Sequence, residues 1–76
     1  MGGEKTIVLV ITTVQTQKEA DTLAQMLVER SLAACVQIDG PITSHYRWEG
    51  KLERSTELRL MIKTSSDVWP NLKEVL

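Results

Sequence analysis

The stretch from Ala33 to Trp48 constrains this chain more than any other, because it reads as one β-strand too long for the domain that holds it. It counts 16 residues in a chain of 76. At about 3.3 Å per residue a straight strand of that length would span roughly 50 Å. A compact domain of this size has a radius of gyration near 11 Å, hence a diameter of about 30 Å. The strand must bend, overhang, or do both. From Leu32 on, Leu32, Ala34, Val36 and Ile38 alternate on one face, and Ala33, Cys35 and Gln37 on the other. "DGP" (Asp39–Pro41) interrupts the alternation. Pro41 has no amide for a ladder and Gly40 permits an unusual backbone angle, so a bulge or kink is expected there. The strand resumes with Ile42, Ser44, Tyr46 and Trp48 on one face. "EG" (Glu49–Gly50) is a tight turn. The return strand carries Leu58, Leu60 and Ile62 on one face, and Arg59, Met61 and Lys63 on the other.

Before this hairpin, "IVLVITT" (Ile7–Thr13) is a β-branched run that is apolar on both faces, which predicts a central strand covered on both sides. "TQKE" (Thr16–Glu19) is a capping box. Ala20, Leu23, Ala24, Leu27 and Val28 follow at helical spacing, and the helix should end near Arg30 or Ser31. After the hairpin, "SSDVWPNLKEVL" (Ser65–Leu76) predicts a second helix, capped by Ser65 or Ser66, with Pro70 in its first turn. The order β-α-β-β-α is that of an α+β, ferredoxin-like split β-α-β sandwich (βαββαβ) without its final strand and with a long β-hairpin. The expectation is a single domain over residues 1–76, truncated at its C-terminal end.

In that plan both helices cover one sheet face. Val8 and Val10 are assigned to the other, which needs a cover, and a second copy of the chain is the simplest one. The overhanging hairpin poses the same demand. His45, Tyr46, Arg47, Trp48 and Leu52 cluster near its tip, where large aromatic side chains are more often interface anchors than ligand platforms. The expected interface is therefore Val8, Val10, His45, Tyr46, Arg47, Trp48 and Leu52.

Nine basic residues oppose ten acidic ones, interspersed, for a formal net charge of -1. That balance is a poor footprint for nucleic acid. The RNA-recognition module with this element order stacks bases on strand aromatics, and Ile7–Thr13 and Glu57–Thr64 have none. The longest apolar run, Ile7 to Ile11, is too short to span a membrane. "MGGEKT" formally fits a myristoylation pattern, with Gly2 and Thr6 in place, but a simple lead-in to the first strand explains it as well. With one cysteine there is no disulfide, which suits a reducing compartment, and a cytoplasmic protein is expected.

Cys35 and His45 are the two best transition-metal ligand types present. Ten residues of strand separate them, roughly 33 Å if straight, so one ion bridges them within a chain only if the kink folds the strand back. Copies from neighbouring subunits could converge instead. Cys35 in "LAACV" also reads as a small buried apolar residue. No charged neighbour activates it as a nucleophile, and no phosphate loop, serine elbow or paired carboxylates occur, so no enzyme is expected. Glu53 and Glu57 read as solvated, or paired with Arg47, Arg54 or Arg59.

"ERSLAACVQI", "ITSHYRWEGKLE" and "ELRLMIKTS" together resemble the CutA divalent-cation-tolerance family over nearly the whole chain from Ile7 to Leu76. The resemblance implies a ferredoxin-like subunit in a tight homotrimer built around long hairpins. It implies a part in tolerance of, or response to, copper and other divalent metals, with Cys35 as a candidate ligand for weak binding of copper or another divalent cation. The trimer's likeness to nitrogen-regulatory signalling proteins keeps a second reading open: a signalling or scaffold trimer that binds a small anion or a partner protein in clefts between subunits, with no metal role. No enzyme reaction follows from the resemblance.

Overall fold

The computed structural model describes residues 6–76. Gly2, the acceptor of the formal myristoylation pattern, lies outside the described residues. Five elements follow one another: β1 (Ile7–Val14), α1 (Gln17–Glu29), β2 (Cys35–Trp48), β3 (Lys51–Ser65) and α2 (Trp69–Val75). The strands form one antiparallel sheet in the order β1-β3-β2, with β3 central. This is the ferredoxin-like plan through its fifth element.

Local chemistry sets each boundary. Thr16 caps α1, its hydroxyl accepting from the Glu19 amide while the Glu19 carboxylate accepts from the Thr16 amide. The helix ends in a Schellman motif: Ser31 takes a φ of 57°, and the Leu32 amide donates to the Leu27 carbonyl while the Ser31 amide donates to Val28. That turn draws in the Ala33 amide as well, so β2 starts only at Cys35 and the alternation expected from Leu32 is lost. The second helix also starts later than its sequence implies. β3 runs on to Ser65, whose hydroxyl bonds the Asp67 side chain, and the Ser66 amide donates to the Thr6 carbonyl. Neither serine caps α2. Its N-cap is Val68, with no side-chain cap, and Pro70 lies in the first turn as expected.

The core lies between the helices and one sheet face. Ala20 and Leu27 of α1, Leu60 and Ile62 of β3 and Leu72 of α2 are fully buried. Val36 and Ile38 of β2, Val10 and Val14 of β1, and Trp69 pack against them. Full burial of one such leucine or isoleucine contributes about 1.5–3 kcal/mol. The packing corrects the expectation that Val8 and Val10 line the uncovered face. Val10 lies opposite Ile62 and Thr12 opposite Leu60, so the even-numbered residues of β1 share the side of the buried β3 residues. Ile7, Leu9 and Ile11 take the uncovered face instead, at 80, 54 and 56% exposure. With valine on one side and isoleucine or leucine on the other, alternation in β1 carries no sign; register against β3 supplies it.

The hairpin overhangs. β1 stops at Val14, opposite Leu58, while β2 and β3 continue as a two-stranded arm to Trp48 and Lys51. The molecule measures 52 × 26 × 18 Å with a radius of gyration of 14.6 Å, against about 11 Å for a compact chain of this length. The tip is a two-residue turn with both Glu49 (φ 48°) and Gly50 (φ 79°) in the left-handed region. The bulge falls where the sequence places it: Gly40 and Pro41 together oppose Leu58, between the pairs Asp39–Arg59 and Ile42–Glu57. Gly40 has a φ of 133° and its peptide bond to Pro41 is cis.

Candidate functional site

Residues directly opposite one another in an antiparallel sheet share a face, so the register lays out the uncovered face row by row. Leu9, Lys63 and Cys35 form one row; Ile11, Met61 and Gln37 the next; Thr13, Arg59 and Asp39 a third. The extra residue at the bulge inverts parity along β2. Odd-numbered residues lie on this face before it, even-numbered ones after it. The face therefore continues along the arm through Ile42, Ser44, Tyr46 and Trp48.

This arrangement sorts the residues expected to form the interface. Tyr46 and Trp48 are exposed, 45 and 63%, on the same side as Ile7, Leu9 and Ile11. His45 and Arg47 lie on the other side of the arm, with Leu52 opposite Arg47 and 77% exposed. The tip residues are thus one group in sequence and two in space.

Cys35 is a free, half-buried thiol on the uncovered face. His45 lies ten residues along β2 on the opposite side, beyond the bulge, and the two do not meet within one chain. Among the described residues no three His, Cys, Asp or Glu side chains gather where they could hold one ion. The neighbour of Cys35 across the ladder is the cation Lys63. A lone soft ligand beside an ammonium does not complete a transition-metal site. A cleft of about 640 Å³ opens at this end of the sheet, lined by Ile7, Val28, Ala33, Cys35, Lys63 and Val68 among others. Its walls are mainly apolar.

Two polar clusters interrupt the apolar face near the bulge, and neither was expected. Arg59 donates twice to Asp39, Nε to Oδ1 at 3.0 Å and Nη2 to Oδ2 at 2.6 Å. The hydrogen bonds from Arg59, against an opposing desolvation and aided by the guanidinium charge, hold the Asp39 carboxyl below its ordinary pKa; the same contacts raise that of Arg59. Among the described residues Glu57 makes no ion pair with an arginine. Its carboxylate accepts from the hydroxyl of Thr13 at 3.2 Å and from that of Ser44. A signal for the first cluster exists in the sequence. Counting back from the Glu49–Gly50 turn and allowing one extra residue at Gly40–Pro41 sets Asp39 against Arg59.

The sequence model of the family described as "CutA1 divalent ion tolerance protein" matches residues 8–76. The chain is 46% identical over 66 residues to the divalent-cation tolerance protein CutA of Thermus thermophilus, covering 87% of this chain and 64% of that protein. It is 47% identical over 58 residues to protein CutA of Mus musculus, covering 76% of this chain and 33% of that one. The solved structure of the Thermus thermophilus protein superimposes with a TM-score of 0.86 at 43% identity, over 91% of this chain and 67% of the other. The chain thus spans between a third and two thirds of the length of these relatives. A match that runs through both helices, all three strands and the bulged hairpin leaves one assignment: the chain belongs to the CutA1 divalent ion tolerance family.

Proposed function

We propose that this protein acts without enzymatic chemistry, as a cytoplasmic homotrimer that takes part in tolerance of copper and other divalent cations. The observation that carries the reading is the uncovered sheet face: Ile7, Leu9 and Ile11 are mostly exposed, and Tyr46 and Trp48 stand exposed on the same side of the arm beyond the polar clusters at the bulge. A monomer rarely leaves so large an apolar surface in water. The names of the relatives supply the link to divalent cations. Cys35 lies on the same face, so each copy would bring one soft ligand toward its neighbours, and any ion would bind weakly and between chains.

A second reading is favoured by Lys63, which stands across from Cys35 where a metal site would want another ligand. In it the same trimer is a signalling or scaffold protein, and clefts between subunits take a small anion or a partner protein. Native mass spectrometry of the protein as produced in cells, with and without added copper, separates the two. A trimer that takes up stoichiometric copper, and loses it on Cys35→Ala, supports the first. A trimer indifferent to copper moves the assignment to the second. A monomer would overturn both.

A further inference from the structure

We propose that the Glu57 side chain is the lock that fixes the angle at which the hairpin arm leaves the sheet. The root of the arm is where the backbone is weakest. β1 ends at Val14, so beyond Leu58 the sheet drops from three strands to two. At the same level the β2–β3 ladder is broken between Asp39 and Ile42. A two-stranded ribbon is marginal by itself, and a bulge is a natural bending point.

Side chains bridge this gap on the uncovered face. On the sheet side of the bulge, the bidentate Arg59–Asp39 pair ties β3 to β2. On the arm side, Glu57 reaches both ways. One carboxylate oxygen accepts from Ser44, a residue of the arm; the other accepts from Thr13, near the end of β1. Glu57 is thus the only described residue whose side-chain hydrogen bonds join the arm to β1. Its backbone takes part as well. A Cβ placed on Gly40 would come within 3.1 Å of the Glu57 carbonyl oxygen, so the bulge is seated directly against this residue. Among the described residues neither hydroxyl–carboxylate bond repeats along the strands; both occur near the level where β1 stops.

Hydrogen exchange of the full protein, read by mass spectrometry, tests the lock. Glu57→Ala should raise exchange of the arm amides flanking the bulge and out to the tip about tenfold, the size expected for losing charge-assisted hydrogen bonds. Amides of Leu60–Thr64, in the three-stranded part, should not change. Thr13→Ala combined with Ser44→Ala should give the same local rise without touching the carboxylate. Glu57→Gln, which keeps an oxygen acceptor, should rise less. Glu53→Ala, further out on the same side, serves as the control and should leave the root unchanged. Unchanged arm exchange in Glu57→Ala would overturn the lock. An equal rise in the arm and in Leu60–Thr64 would also overturn it, because Glu57 would then support the whole fold rather than the arm angle.

Discussion

At the scale of single residues, the polar groups of the uncovered face are held by partners that composition does not reveal. Asp39 keeps a depressed pKa because Arg59 donates two hydrogen bonds to it. A carboxyl whose pKa is lower folded than unfolded stabilises the fold above its unfolded pKa. That contribution is lost as pH falls through the folded value. For Asp39 the loss therefore lies below the ordinary value of 3.8. Both side chains are about 40% exposed or more, so the effect is small. Urea unfolding should show Asp39→Asn slightly less stable than the natural sequence from pH 5 to 8, with the gap closing below about pH 3.8. A gap that persists at pH 2 would mean the loss comes from packing, not from charge.

At the scale of elements, α1 is bounded by the Thr16 cap and the turn at Ser31, and the bulge in β2 is the feature with most consequence. It inverts the parity of every later residue on the strand. It thereby puts Tyr46 and Trp48 on the side of Ile11, and His45 and Arg47 on the other. Gly40 makes it possible: its φ of 133° is a region L side chains rarely enter, and an added Cβ would press on the Glu57 carbonyl oxygen and the Leu58 side chain, both at 3.1 Å. Gly40→Ala should cost about 1–3 kcal/mol of unfolding free energy from backbone strain alone. Chemical denaturation monitored at the tryptophans measures it, and a loss under half a kcal/mol would show that the bulge tolerates another geometry.

At the scale of the whole molecule, the shape is that of a small core with an arm. Helices bury one side of the sheet and leave Ile7, Leu9 and Ile11 open on the other. Replacing Leu9 and Ile11 together by aspartate should shift the protein to monomers by size-exclusion chromatography with light scattering. Far-UV circular dichroism should stay unchanged, since neither residue touches the core. Replacing the inward-facing Val10 by aspartate should instead unfold the domain. If both variants unfold alike, the open face is part of the core and the assembly reading fails.

The order of elements, the capping box, the bulge, the turn and the overhang all follow from residues that act within a few positions of themselves. Thr16 and Glu19 meet across one helical turn. Gly40 and Pro41 forbid a regular ladder wherever they stand. A strand read as sixteen residues, and found as fourteen, is too long to lie straight inside a compact domain of this size. Recognisable motifs around Cys35 and Trp48 point to the family for the same reason, being contiguous. Only the tertiary structure decided which side of β1 faces the helices, because both sides are apolar and the choice rests on register against Leu60 and Ile62. It alone set Glu57 on Thr13 and Ser44, partners 44 and 13 positions apart, for strands must first align before such side chains meet; the Arg59–Asp39 pair follows from the turn only once the bulge is known to add one residue. The start of α2 fell to it as well, because β3 keeps Ser65 in the sheet as long as Ile7 lies opposite to pair with it.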